Sequence, residues 1–272
     1  MSDTVSVDQT GAATSIPELQ VETKDGVRTL RFNRADKKNA ITRAMYAAAA
    51  HALDSAREDP AVKVFIITGS DGVFSAGNDL MDFMQAPPHV GGGDMPPVEQ
   101  FMRALAGAEK PVIAAVDGLA IGIGVTLLLH CDLVYASNRS TFKTPFVDLA
   151  LAPEFGSSQL MPAMLGHAVA SELLLLGATW GSDRAYQTGL VGGVFTPETL
   201  DEMVWQAAQN LAAKAPGSLK AAKALMKQPP EDLYARISRE GEIFAAQLRS
   251  PEFAEAAGAF MERRKPDFSK FD

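Results

Sequence analysis

Two glycine-bearing turns, Phe74-Ser75-Ala76-Gly77-Asn78-Asp79 and Gly118-Leu119-Ala120-Ile121-Gly122-Ile123-Gly124, each follow a short apolar strand-like run and open into a helix-like stretch. Small residues let the backbone come close to a ligand, and the first turn of a helix leaves amide donors unpaired. Two such donors converging on one thioester oxygen would stabilise an enolate.

Other chemistries leave little trace. His51, His89, His130 and His167 are scattered without metal-ligand spacing, so no metal site is expected. Gly122-Ile123-Gly124 begins a dinucleotide fingerprint, but Leu127 occupies the third glycine position and a nicotinamide cofactor is not supported. Ser157 and Ser158 lack a surrounding Gly-x-Ser-x-Gly and read as residues that satisfy helix N-terminal amides.

The elements that position these turns follow an α/β pattern. Leu19 to Thr23 and Val27 to Phe32 alternate around Asp25-Gly26 and read as a hairpin. A helix runs from a Thr42 cap to about Glu58, followed by a buried strand at Val64-Phe65-Ile66-Ile67. Val112 to Val116 and Leu133-Val134-Tyr135 repeat the strand pattern with helices between, which predicts mostly parallel strands. Pro87 to Pro97, with three successive glycines, has no periodicity and is expected as a mobile loop, either a lid or slack. From Pro197 onward three or four amphipathic helices are predicted, packed against another subunit or wrapped on the core.

Composition bounds the partners. A chain of 272 residues with 47% hydrophobic residues can bury a sizeable core, and one catalytic domain with a helical tail is expected. Its 33 acidic against 25 basic residues give a net charge of −8, with no basic block, so nucleic acid is not an expected partner. The single cysteine, Cys131, excludes an internal disulfide framework and reads as a small buried hydrophobe, in keeping with a reducing compartment. Residues 1–16 lack the basic start and apolar run of a signal peptide and read as a disordered tail. The apolar stretch Leu119 to Leu129 is too short for a bilayer of about 30 Å, so a soluble, cytoplasmic protein without a membrane partner is expected.

Four segments in order carry a family likeness: Arg34-Ala35-Asp36-Lys37-Lys38-Asn39-Ala40, the Ser75 to Asp79 turn, Asp117 to Asp132, and Phe260 to Pro266. The chain resembles the crotonase family of enoyl-CoA hydratases and isomerases over nearly everything after residue 18. The resemblance implies a spiral of ββα units over 17–196, a C-terminal helical trimerisation region over 197–272, and assembly as a homotrimer or dimer of trimers. It implies an acyl-CoA thioester as ligand, with coenzyme A belonging to the substrate and no separate cofactor. Its oxyanion donors fall on the backbone of Asn78 and Ile123, within a binding set of Arg34, Ala35, Lys38, Ala40, Ala76, Asp79, Leu80, Ile121 and Gly124. Arg34, Lys37 and Lys38 are either phosphate contacts or solvated surface charges. Asp79 reads as the cap of the helix it precedes, and Phe260 to Lys265 would cover the CoA site of a neighbouring subunit. Phe83, Met84 and Phe101 are either acyl-pocket lining or ordinary core.

The chain departs from the hydratases of that family at their two carboxylates, whose positions hold Thr126 and Phe146. Hydration needs a group to activate water and a proton donor for the α-carbon. The run Thr144-Pro145-Phe146 … Pro153-Glu154-Phe155 instead resembles the peroxisomal type of 3,2-enoyl-CoA isomerase, whose Pro-Glu carries the base. Glu154 is therefore expected as general base and acid, its pKa raised by Leu149, Leu151 and Phe155. The alternatives are a Glu154 that caps a helix beginning near Gly156 or is simply exposed, with Asp148 as the next candidate base. A hydratase, a thioester hydrolase and a non-catalytic acyl-CoA-binding paralogue are the rival readings.

Overall fold

A computed structural model describes residues 15–85, 95–229 and 231–271. Most of the Pro87–Pro97 loop and of the N-terminal tail expected above lie outside these residues; Ile16 is placed, bridged to Leu19.

Leu19–Lys24 (β1) and Val27–Phe32 (β2) form the hairpin, turned by Asp25 and Gly26 at positive φ. Val64–Thr68 (β3), Val112–Val116 (β4), Leu119–Ile121 (β5), Leu133–Ser137 (β6), Thr141–Lys143 (β7), Thr179–Gly181 (β8) and Gly193–Phe195 (β9) follow. A six-stranded sheet runs β1-β2-β3-β4-β6-β9, parallel from β2 onward, and a three-stranded sheet runs β5-β7-β8. β4 and β5, then β6 and β7, each send one strand to the large sheet and the next to the small one, with helical segments after each pair. These are the turns of a ββα spiral. The second sheet was not anticipated: its strands have three residues each, too few for a two-residue period to show.

β3 and β4 are buried at every position, as expected of parallel strands covered on both faces. On one face Phe65, Ile67, Val112 and Ala114 join the helices Arg43–Asp54 and Pro97–Ala106 through Met45, Leu53, Phe101 and Leu105. On the other, Val64, Ile66, Ile113 and Ala115 meet Leu200, Val204 and Ala208 of helix Pro197–Ala212. Of the two packings foreseen for the C-terminal segment, this helix takes the core.

The Arg43–Asp54 helix starts as read, with the Thr42 hydroxyl accepting from the Met45 amide, but stops at Asp54, short of Glu58. Three helices follow the core helix: Pro216–Met226, Leu233–Gln247 and Pro251–Met261. Lys223 anchors the first by donating to Asp132 at 2.6 Å and the Lys110 carbonyl at 2.7 Å. Glu252 ties the third to it by accepting from the Gly217 amide. Leu233, Ile237 and Phe244 of the middle helix remain exposed.

Candidate active site

Backbone bonds lock the two turns together. The Ser75 amide donates to the Leu119 carbonyl and the Ile121 amide to the Ser75 carbonyl. Gly77 sits at φ +88°, where a Cβ would lie 2.7 Å from the Ile121 carbonyl oxygen, so only glycine allows the approach. Gly122, at φ +57° and ψ −119°, opens the second turn into helix Ile123–Thr126. A Cβ on Gly124 would meet the Ser75 carbonyl at 3.0 Å.

The Asn78 residue pairs through its neighbours: the Ile41 amide donates to the Gly77 carbonyl and the Asp79 amide to the Ile41 carbonyl. Its own amide, like that of Ile123 at the start of its helix, has no protein acceptor among the described residues. Free amides at a helix start are donors for a developing anion.

Glu154 is tied to the helix that opens the second of these turns. Thr126, three residues after Ile123 on the same helix, donates from Oγ1 to Glu154 Oε1 at 2.5 Å. Tyr46 donates to Asn78 Oδ1 at 2.6 Å and lies close enough to Glu154 to feel its charge. Burial raises the Glu154 carboxyl to about 7 against the opposing Thr126 hydrogen bond, and Oε2 is buried without a partner among the described residues. A carboxyl at that value is poised to give and take protons near neutrality.

The expected source of this burial is corrected. Leu149 and Leu151 are about half exposed, whereas Phe155 is buried as expected, and the carboxyl's further neighbours are Tyr46 and Thr126, both buried and distant in sequence. Glu154 does not cap the following helix, which starts after Gly156 without a side-chain cap. Ser157 does not accept amides either: its hydroxyl donates to the Glu154 carbonyl at 2.7 Å, fixing the Glu154 backbone. Asp148 is drawn off into an exposed ion pair with Lys143 at 3.1 Å. Phe146 is buried core.

Around the turns, Arg34 is held inward by Asp79 at 2.6 Å and by the Ala40 carbonyl, while Lys37 and Lys38 are exposed. Ala35 begins the short helical turn Ala35–Lys37, and the Ala76 amide donates to the Lys38 carbonyl. Asp79 caps helix Leu80–Gln85 as read, accepting from the Met81 and Asp82 amides, and these bonds with Arg34 lower its pKa. The Leu80 side chain is exposed. Phe101 belongs to the core, its ring 5.5 Å from Tyr46 and 6.3 Å from Phe155; Met84 is exposed. Arg264 in the C-terminal run pairs with Glu255 and Glu262, and Phe260 is exposed. Cys131 donates to the Leu127 carbonyl, and burial pushes its thiol up to about 12.

Three residues that position the site escaped the sequence reading. Asn39 is fully buried and ties the Arg34 amide to the Val73 carbonyl. Tyr46 stood in an alanine-rich run that reads as ordinary core, and His130 among histidines dismissed as metal ligands. Among the described residues no cluster of His, Cys, Asp and Glu could hold a metal, and no helix is long and apolar enough to cross a membrane.

Fold and site together define a ββα-spiral protein in which two glycine turns with free amides are locked together and the Glu154 carboxyl is bonded to the helix that opens one of them. The chain belongs to the enoyl-CoA hydratase/isomerase family, whose model matches residues 22–270. It is 35% identical to human enoyl-CoA delta isomerase 2 over 93% of this chain, spanning 65% of that protein's length. It is also 32% identical to the 2,3-dehydroadipyl-CoA hydratase of Escherichia coli (strain K12), over 92% of this chain and 98% of that one. Among solved structures, Pseudomonas aeruginosa OdaA is similar at 47% identity and a TM-score of 0.74, over 90% of this chain and 99% of that one.

Proposed function

We propose that this protein isomerises a 3-enoyl-CoA to the conjugated 2-enoyl-CoA, with Glu154 as the one proton carrier. Glu154 Oε2 takes a proton from C2, the electron pair moves into the thioester, and the resulting dienolate oxygen accepts from the Asn78 and Ile123 amides. The same carboxyl returns the proton to C4 as the double bond settles between C2 and C3. Moving one proton this way needs a single carboxylate and no redox or metal group, so coenzyme A enters only as part of the substrate.

The observation that carries this reading is the Glu154 carboxyl, raised to about 7 with one buried oxygen unpartnered, together with two unpaired amides on turns that are locked to each other. Hydration would ask for a second acid, and the hydratase positions hold Thr126 and Phe146. Residues 17–196 form the catalytic spiral, joined by the core helix Pro197–Ala212, and the rest of 197–272 mediates homotrimer or dimer-of-trimers assembly. The exposed Leu233, Ile237 and Phe244 support that role.

The test is steady-state turnover of a 3-enoyl-CoA beside hydration of crotonyl-CoA. Isomerisation with negligible hydration is the expected result. Hydration that matches or exceeds isomerisation contradicts the reading, and binding of the thioester with neither reaction favours a non-catalytic acyl-CoA protein.

A further inference from the structure

Thr126 is fully buried and spends its hydroxyl on Glu154. A threonine on a helix ordinarily returns that hydrogen bond to a carbonyl one turn back. Here Oγ1 donates across 28 positions of sequence to Glu154 Oε1, leaving Oε2 buried and without a partner among the described residues. One turn further along, His130 meets the Phe155 carbonyl through Nε2 at 2.8 Å and stacks its ring on Phe155 at 3.9 Å. Phe155 is held at φ +54°, a left-handed conformation costly for a bulky residue. Thr126 and His130, four residues apart on one helical stretch, thus grip Glu154 and Phe155, one by side chain and one by backbone.

We propose that Thr126 is a positioning residue that fixes the Glu154 carboxyl so that Oε2 alone exchanges protons with the substrate. This rests on the isomerase reading of Glu154. The terminal torsion of a glutamate is broad, so an untethered carboxyl would present either oxygen. The β-branched Thr126 is stiff about χ1 and its donated hydrogen occupies Oε1. The proton in transit therefore resides on Oε2. The same hydrogen bond favours the ionised carboxyl and opposes the rise caused by burial. The other titratable groups near this carboxyl do not change charge with it around pH 7. Tyr46 is raised well above 10 by burial and by Glu154, and His130, behind Phe155, is lowered by burial and stays neutral.

The experiment compares Thr126→Val, Thr126→Ser and Glu154→Gln in the full chain, reading kcat and KM for a 3-enoyl-CoA across pH. Thr126→Val is expected to lower kcat about 10- to 100-fold, the size of a lost hydrogen bond to a charged group, with KM changed little. The acidic limb of its pH profile, near 7 in the wild type, moves upward, and Thr126→Ser restores both. Wild-type kcat and an unmoved limb in Thr126→Val, with Glu154→Gln inactive, overturn the positioning role alone. An active Glu154→Gln overturns the assignment of the base instead. The infrared carboxyl band of protonated Glu154, taken as wild type minus Glu154→Gln, needs no folded Thr126 variant. One band titrating near 7 supports a single protonated oxygen; two bands of similar strength overturn it.

Discussion

Tyr46 Oη donates to Asn78 Oδ1 at 2.6 Å, joining helix Arg43–Asp54 to the turn that supplies one of the two unpaired amides. The phenol stays protonated through neutrality because burial and the nearby Glu154 raise its pKa, so the donor is always present. Tyr46→Phe leaves the Asn78 acceptor unpaired, a loss of about 1–3 kcal/mol. At about 2–4 °C per kcal/mol for a chain of this order of size, the variant should melt several degrees lower. Its kcat should fall more than its KM rises, because the Asn78 amide loses its brace. An unchanged melting temperature would show that Tyr46 does not hold the turn.

Gly77 has a backbone conformation and a neighbour that no side chain accommodates. In Gly77→Ala the new methyl drives against the Ile121 carbonyl and separates the two turns. Loss of one oxyanion donor costs about 2.7–4 kcal/mol, so kcat should drop by roughly 10²- to 10³-fold. Retained kcat in a folded variant would place the oxyanion elsewhere.

Stability and activity should oppose each other at Glu154. Its folded pKa, about 7, lies above the ordinary 4.5, so the folded state holds the proton more tightly. Stability from this group is therefore full below pH 4.5 and falls as pH rises to about 7. The shift corresponds to a loss on the order of 3 kcal/mol. Glu154→Gln should match the wild type in melting temperature near pH 4 and exceed it by several degrees near pH 8. A constant difference across pH would contradict the burial described here.

Asp79 works in the opposite sense. Its pKa is lowered first by the Asp82 amide and then by Arg34, so its contribution is present above the usual carboxylate range and lost as pH falls through the depressed value. Asp79→Ala removes a helix cap worth about 0.5–2 kcal/mol and releases Arg34 beside the Asn78 turn. Melting curves should separate variant from wild type at pH 7 and converge in strong acid; equal stability at pH 7 would deny the cap.

Strands β3 and β4 were legible because each carries four or five apolar residues in a row, and β4 appears with the predicted bounds, whereas the three-residue β9 at the sheet edge was not foreseen. The hairpin and the Thr42 cap were legible from local turn and capping chemistry. The two glycine turns were legible from residue type, and the structure locks them together. What escaped joins residues far apart: Thr126 to Glu154 across 28 positions and Tyr46 to Asn78 across 32. No local pattern encodes such a pair. For the same reason Leu149 and Leu151, neighbours of Glu154 in sequence, were misread as its walls, whereas Tyr46 and Thr126 surround it in space. The family resemblance singled out Glu154, and the fold supplied its environment.

On the proposed mechanism, one carboxyl of Glu154 moves the proton between C2 and C4. This transfer is tested most directly by following a 3-enoyl-CoA in deuterated water by NMR, with wild type and Glu154→Gln. The wild type is expected to form the 2-enoyl thioester with exchange at C2 or C4, and the variant to lose both conversion and exchange. Conversion and exchange that persist in Glu154→Gln would contradict that mechanism.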